Sequence, residues 1–234
     1  ETTLAGLEDE ETSGLTWNPL TGTLFTVTGE QLVEFTPAGV VLRRVALTGF
    51  ADPEAVEALG DGRLAIVDER RRLVAVFRLE PGVESLDLDD LASYDLGFAD
   101  AGNKGFEGLA YDTAGGRLFV AKERNPVKIY EIAGFPYSAE TPAVHINEHE
   151  ARLFVRDLSS LQFDERSGHL LALSDESRLV VELGSKGQPL SSLALNAGKH
   201  GLEQDVPQAE GIAMGPDGTL YVVSEPNLFY VFSK

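Results

Sequence analysis

The segment FEGLAYDTAGGRLFVAKERNPVKIYEI (106–132) contains a short strand-like run, a glycine turn, an apolar run, and an acidic residue before a third run. Four other segments repeat this order, each with Gly-x-Leu at the turn. They are SGLTWNPLTGTLFTVTGEQLVEF (13–35), PEAVEALGDGRLAIVDERRRLVAVF (53–77), LSSLQFDERSGHLLALSDESRLVVEL (158–183) and AEGIAMGPDGTLYVVSEPNLFYVF (209–232). Units that recur roughly every 50 residues stack on their neighbours to form one core. The sequence therefore predicts an all-β β-propeller.

The second strand of each repeat is apolar at almost every position. These runs are Leu24–Val27, Leu64–Val67, Leu118–Ala121, Leu170–Leu173 and Leu220–Val223. A strand with one face in water would alternate, so we expect these strands to be covered on both faces by neighbouring blades.

The strands outside the repeats determine how the ring closes. Fourth strands are predicted at Val40–Leu47, Ser93–Gly97, within 143–156, and at Pro189–Leu195. The fifth repeat reaches Lys234 after its third strand, so the N-terminal segment Thr2–Leu7 is expected to supply the missing outer strand. That closure would leave no exposed sheet edge. We predict a single β-propeller domain over residues 1–234 with five four-stranded blades, and six blades as the alternative count.

The charge and composition limit the classes of partner. The 234 residues carry a net charge of -19, which repels nucleic acid and anionic membranes and attracts cations. Solubility alone is the other explanation for such a surface. The sequence contains no cysteine, and its apolar runs are too short to span a bilayer. We therefore expect a monomer that binds no nucleic acid and does not insert into the membrane.

Acidic residues occupy two equivalent positions in the repeats. The residues just before the innermost strands are Ser13, Glu54, Glu107, Ser159 and Glu210, and those just after the second strands are Gly29, Glu69, Glu123, Asp175 and Glu225. Antiparallel pairing places both positions at the same end of each hairpin. We therefore expect one face of the ring to be acidic, with Glu54, Glu107 and Glu210 nearest the central channel.

Two interpretations of this acidic face stay open. Neighbouring carboxylates repel each other unless a cation, protonation or basic residues such as Lys122 and Arg124 compensate. Oxygen ligands suit Ca²⁺, whereas zinc would need nitrogen or sulfur ligands. Alternatively, the carboxylates accept backbone N–H bonds from adjacent blades. His200 lies in NAGKHGLEQDVPQAEG (196–211), which leads onto Glu210, so it is either a further ligand-binding residue or a structural one.

The segments NKGFEGLAYD (103–112), LFVAKERNP (118–126), DERRRLVAVF (68–77) and DVPQAEGIAM (205–214) resemble the SdiA-regulated, YjiK-like family of bacterial proteins. The resemblance implies a β-propeller outside the cytoplasm, in the periplasm or at the cell surface, following an N-terminal signal or membrane anchor. A chain that begins at Glu1 agrees with this expectation. The resemblance also implies calcium at Glu54, Glu107, Glu123 and Glu210. Ser13, Ser159 and Gly29 leave the ring of acids incomplete.

The FEGLAYD-type segment is also similar, more loosely, to esterase-like phytase propellers. That likeness implies a calcium-assisted hydrolase of phosphate esters or lactones, with Glu107 or Glu210 as the base. Lys122, Arg124 or His200 would hold anionic groups, although the acidic surface would repel such a substrate.

The first hypothesis is instead a non-catalytic binding propeller. Its channel mouth would hold a small ligand or a basic protein segment. The predicted ligand-binding residues are Glu69, Lys122, Arg124, Asp175, His200 and Glu225.

Overall fold

The computed structural model describes residues 1–8, 10–96, 105–136, 146–149 and 155–233, with backbone alone for Ile146–His149. It contains five β-sheets arranged as the blades of a β-propeller. The short strand β1 covers Thr2–Thr3. Blade 1 begins with β2 (Ser13–Asn18), β3 (Thr23–Val27), β4 (Gln31–Phe35) and β5 (Val41–Thr48). The fold class predicted from the repeats is confirmed.

The next blades follow the same order from the channel outward. Blade 2 contains β6 (Pro53–Ala58), β7 (Arg63–Asp68) and β8 (Leu73–Arg78). After it come β9 (Ser85–Asp87), a 3₁₀ turn (Leu88–Asp90) and β10 (Ala92–Asp95), the outer strand of blade 2. Blade 3 contains β11 (Phe106–Asp112), β12 (Arg117–Lys122), β13 (Lys128–Ala133) and β14 (Ile146–His149).

The last two blades complete the ring. Blade 4 contains β15 (Ser160–Asp164), β16 (His169–Ser174), β17 (Leu179–Leu183) and β18 (Pro189–Ala194). Blade 5 contains β19 (Ala209–Met214), β20 (Leu220–Ser224) and β21 (Leu228–Phe232), followed in the sheet by β1. The four predicted outer strands therefore all exist, close to their expected bounds.

The N-terminal strand closes blade 5. Thr2 lies opposite Phe229 and Thr3 opposite Leu228, and the amide of Leu4 donates to the carbonyl of Asn227 at 3.0 Å. Leu4 itself is completely buried. Pairing the first strand with the last gives the outer edge of β21 a partner, as the sequence predicted.

Blade 1 differs from the four-stranded prediction because a fifth strand joins it. Strand β9 pairs in parallel with β5, with Ala46 opposite Ser85 and Thr48 opposite Asp87. The connection between β8 and β10 thus covers the outer edge of the neighbouring blade.

Apolar clusters between adjacent blades form the core. Val67 and Val120 belong to one such cluster, between blades 2 and 3. Phe35 of blade 1 and Phe229 of blade 5 meet edge to face, with ring centroids 5.3 Å apart. The second strands are covered on both faces, as their continuous apolar runs predicted. This packing fixes the inner strands around the channel and so positions every side chain that faces it.

Candidate functional site

Three glutamates are presented to the channel by β-bulges. In blade 2, Pro53 pairs with Asp68 and Ala55 with Val67, so Glu54 has no partner in the ladder. The same irregularity places Glu107 between Phe106 and Gly108, and Glu210 between Ala209 and Gly211. A bulge inserts one extra residue and re-aims its side chain. The repeat therefore places Glu54, Glu107 and Glu210 at one end of the channel, which we call the acidic mouth.

The acidic mouth contains a cavity of about 200 Å³. Its other lining residues are Ser13, Glu123, Arg124, Asp157, Ser159, Asp175 and Glu225. The structure thus confirms that the repeated positions converge on one face, because residues from all five blades meet there.

Burial and mutual repulsion favour the neutral form of the three glutamates. Burial, followed by the nearby Asp52 and Glu69, raises the pKa of Glu54 to about 8. The pKa of Glu107 rises to about 9, through burial first and then through Glu210 and Glu54. Burial raises the pKa of Glu210 to about 8, with Glu225 adding to the effect. At neutral pH the metal-free mouth therefore holds protons that a bound cation would displace.

One group of carboxylates within the described residues is close enough to share an ion. Oxygen atoms of Asp52, Glu54 and Glu69 lie within 4.8 Å of one another. The amide of Gly105 donates to Glu69 Oε1 at 2.6 Å, and Arg70 Nη2 lies 2.9 Å from Asp52 Oδ2. Each carboxylate still has a second oxygen, and hard oxygen donors are the ligands that Ca²⁺ prefers. These residues fit a calcium ion by the chemistry of their donor atoms.

Comparison with known families identifies the chain. The model of the SdiA-regulated family matches residues 1–233. The chain belongs to the SdiA-regulated family. This confirms the resemblance predicted from GFEGLA, AKERNP and PQAEG.

Solved structures of known proteins share the propeller fold with this SdiA-regulated chain. A nidogen/laminin complex matches with a TM-score of 0.59 at 13% identity, over 91% of this chain and 72% of that one. A catalytically inactive virginiamycin B lyase from Staphylococcus aureus, with quinupristin, matches with a TM-score of 0.53 at 14% identity, over 100% and 73%. A Bacteroides thetaiotaomicron protein of unknown function gives 0.62 at 12% identity, over 95% and 55%. At these identities the likeness concerns the fold alone.

The predicted metal residues of this SdiA-regulated propeller divide into two groups. Glu54, Glu107 and Glu210 face the same cavity. Glu123 also lines it, but its carboxylate forms an ion pair with Arg124. Among the predicted four, only Glu54 belongs to the group that can share one ion in the described structure. The other two members of that group are Asp52 and Glu69, of which Glu69 was predicted as a ligand-binding residue.

Asp175 and Glu225 lie at the acidic mouth, as the repeat predicted. Asp175 Oδ1 accepts a hydrogen bond from the amide of Ala209 at 3.0 Å, which links blades 4 and 5. Glu225 Oε2 accepts from Gln208 Nε2 at 2.6 Å. Burial raises the pKa of both carboxyls. Asp175 and Glu225 therefore accept structural hydrogen bonds and also contribute acidic groups to the mouth.

The predicted basic residues have protein partners. Lys122 is buried, and its Nζ donates to the carbonyls of Arg124 and Asn125, the latter at 3.1 Å. The guanidinium of Arg124 lines the cavity while it contacts Glu123 and, at 2.6 Å, Glu176 Oε1. Arg124 thus lies at the mouth, whereas the ammonium of Lys122 supports the turn beside it.

His200 is not placed at the acidic mouth. It lines a separate cavity of about 610 Å³ with Leu171 and Val231, between blades 4 and 5. The loop that contains it runs from the outer strand β18 to the inner strand β19. His200 lies in the first half of that path and stays away from the channel, although the loop itself ends next to Glu210.

Sequence reasoning missed two acids at this site. Asp52 and Asp157 each lie two residues before the position of the channel-facing residue, Glu54 in blade 2 and Ser159 in blade 4. Asp157 is buried, lines the cavity and accepts hydrogen bonds from Ser174 Oγ and the amide of Glu176. Aligning the five repeats would reveal this signal, because both acids lie at the same distance in sequence from the channel-facing position.

Proposed function

We propose that this SdiA-regulated propeller is a non-catalytic binding protein whose acidic mouth holds Ca²⁺. The observation that carries the proposal is the convergence of three bulge glutamates on one cavity, with pKa values raised to about 8 or 9. Burying several ionised carboxylates near one another is unfavourable unless protonation or a nearby positive charge compensates. A divalent cation supplies that compensation.

Asp52, Glu54 and Glu69 are the residues that would hold the ion, because their oxygens lie within 4.8 Å of one another. Bound calcium supplies two positive charges and open coordination positions for an oxygen-bearing ligand. Glu107, Glu210 and Glu225 would face the same ligand from the other side of the cavity. A small ligand or the basic segment of a protein partner fits this electrostatic environment.

Hydrolysis of phosphate esters or lactones is the second candidate. The raised pKa values of Glu107 and Glu210 suit general acid–base chemistry near neutral pH. The groups expected to hold an anionic substrate are occupied, since Lys122 binds backbone carbonyls and Arg124 contacts two glutamates. This arrangement favours binding over hydrolysis.

We also propose that the protein acts as a monomer outside the cytoplasm, in the periplasm or at the cell surface. The family resemblance supports this location. Extracellular calcium modules bind the ion with Kd values on the order of 0.1 to 1 mM, an affinity that a small set of carboxylates can provide. Within the described part of the chain, no helix is long and apolar enough to cross a bilayer.

Thermal unfolding of chelator-treated protein tests the calcium site. Calcium at a hundredfold excess over its Kd should stabilise the native state by about 2.7 kcal/mol, which raises Tm by roughly 5–10 °C, while Mg²⁺ should have a smaller effect. Glu54→Gln should remove most of the shift. Glu80→Gln, an exposed position outside the mouth, is the matched control and should retain it. An equal shift in wild type and Glu54→Gln, or none in wild type, would contradict the proposal.

A separate assay decides between binding and hydrolysis. Calcium-loaded protein is incubated with generic phosphate esters and lactones, alongside a calcium-only blank. We expect no turnover above the blank. Turnover that disappears in Glu107→Gln or Glu210→Gln would instead support the hydrolase.

A further inference from the structure

The channel has a second mouth, where the inner strands end. It contains a cavity of about 250 Å³. The position three residues after the acidic mouth carries Thr16, Glu57, Ala110, Gln162 and Ala213 in the five blades. Of these, Thr16, Glu57 and Gln162 line the second cavity. This mouth plays no part in the proposed calcium site.

The polar side chains at this level connect neighbouring blades. Thr16 Oγ1 accepts the amide N–H of Ala58 at 3.0 Å, and Glu57 Oε1 accepts that of Tyr111 at 3.1 Å. Gln162 Oε1 accepts that of Met214 at 3.0 Å. Each bridge uses one oxygen atom. A glutamine is therefore sufficient for the structural role at this position, as Gln162 demonstrates.

The second oxygen of Glu57 is not used by the bridge. Glu57 is only 4% exposed, and its Oε2 has no hydrogen-bond partner among the residues that the structure describes. In Gln162 the corresponding atom, Nε2, donates to the carbonyl of Phe163 at 2.7 Å. A buried polar atom without a partner is costly, and native proteins satisfy most such atoms.

The electrostatics of Glu57 point to a missing positive charge. Burial raises the pKa of Glu57 to about 8, and the Thr16 hydroxyl and the Tyr111 amide offset this only in part. Asp164 and Glu165 also line the cavity. Arg166 is the basic residue among its described lining residues, and it is paired with Asp164 at 3.0 Å. A cation is therefore the charge that this cavity favours.

The walls of the second mouth are aromatic and apolar. Trp17 is stacked on Tyr221, with centroids 6.0 Å apart, and lines the cavity together with Phe163 and Met214. Aromatic faces attract organic cations, and the methionine side chain adapts to irregular apolar shapes.

We propose that the second mouth binds a small organic cation, namely a primary ammonium on an aromatic or alkyl body. The ammonium group donates to Glu57 Oε2, and the apolar body lies against Trp17, Phe163 and Met214. The site is independent of the calcium site at the acidic mouth.

The protein contains its own reporter for this site, because Trp17 is the single tryptophan of the chain. Full-length protein is titrated with phenethylammonium while tryptophan fluorescence is recorded. Phenylethanol, which has a similar shape without the charge, is the matched ligand control. We expect a saturable change with the ammonium and binding at least about tenfold weaker with the alcohol, as for the loss of one charged hydrogen bond.

Two variants separate contact with Glu57 from general electrostatics. Glu57→Gln keeps the bridge to Tyr111 and removes the charge, so the fold should survive and phenethylammonium should bind about tenfold or more weakly. Glu80→Gln makes the same charge change at an exposed residue outside this mouth and should bind as wild type does. The proposal is overturned if wild type gives no saturable change, if Glu57→Gln binds equally well, or if both variants weaken binding by the same factor. Circular dichroism checks that Glu57→Gln is folded, so that a loss of binding reports on the site and not on the fold.

Discussion

Single carboxyl groups of this propeller have protonation states that depend on their position. Glu107 lines the acidic mouth, and Glu210 and Glu54 add to the effect of burial on its pKa. Asp61, in contrast, is exposed beside Arg63, whose side chain accounts for the lowered pKa of that carboxyl. Residues of the same chemical class thus differ because one is surrounded by like charges and the other has a basic partner.

Replacing Glu107 by its neutral isostere should stabilise the metal-free protein at alkaline pH. Near pH 8 the unfolded chain has an ionised Glu107, whereas the folded state still holds the proton, so wild type is penalised and Glu107→Gln is not. We expect a gain on the order of 2 kcal/mol, or roughly 4–8 °C in Tm, at pH 8 and little difference near pH 5. Glu80→Gln is the control, and differential scanning calorimetry at both pH values is the measurement. A variant less stable than wild type at pH 8 would disprove the raised pKa.

The repeat predicted which acids face the channel, but it could not predict how they are paired. Equivalent positions in a repeat share a direction, so Glu54, Glu107 and Glu210 could be placed from the sequence alone. The direction of the Lys122 ammonium depends on a turn formed by Arg124 and Asn125, which only the folded backbone determines. The bridging role of Glu57 depends likewise on the amide of Tyr111 in the next blade.

The inner strands approach one another closely enough that they require glycine at particular positions. A Cβ atom added to Gly211 of β19 would lie 2.6 Å from the carbonyl carbon of Gly14 and 2.8 Å from Leu15 Cβ in β2. Contacts this short force the strands apart. The close approach sets the width of the channel, and therefore the spacing of the carboxyl groups around it.

Gly211→Ala should therefore destabilise the ring and loosen the acidic mouth. We expect a loss of about 1–3 kcal/mol, or roughly 3–10 °C in Tm. Gly29→Ala is the matched control, because the added methyl group meets nothing within 4 Å there and the backbone is not in the left-handed region. Thermal unfolding of the two variants is the measurement. If both variants unfold at the same temperature, the close contact between β2 and β19 does not determine the stability of the ring.

At the level of strands, the sequence pattern predicted pairings between strands that are close together in the sequence. The hairpins and the outer strands β5, β14 and β18 were predicted because each pairs with the preceding strand, and β10 was predicted although it pairs with β8, across a short connection. Strand β9 was missed because it pairs in parallel with β5 of the preceding blade, a contact that no local pattern encodes.

One strand connects the two mouths of the channel. Glu54 and Glu57 both belong to β6, and they line the cavities at opposite ends. Both carboxyls have raised pKa values, as do Glu107 and Glu210. Groups with lowered pKa values, such as Asp61, are ionised in both the folded and unfolded states above about pH 5. Among the residues that the structure describes, the acids with pKa values raised to about 8 or 9 therefore all lie at the two ends of the channel.

Metal-free protein should become less stable as the pH rises from about 5 to 9. An acid whose pKa is raised by folding contributes its full stability below the unfolded value of 4.5, and this is lost as the pH approaches the folded value of about 8 or 9. We expect Tm to fall by about 5 °C or more over this range. Calcium should reduce this fall in Tm, because bound metal favours the ionised carboxylates of the acidic mouth. The part of the fall in Tm that comes from Glu57, at the second mouth, should persist. A calorimetric series at constant ionic strength, with and without calcium, measures both. A Tm that rises with pH in the metal-free protein would show that the carboxyls of the channel are ionised without a cation, and would remove the electrostatic reason for a metal site.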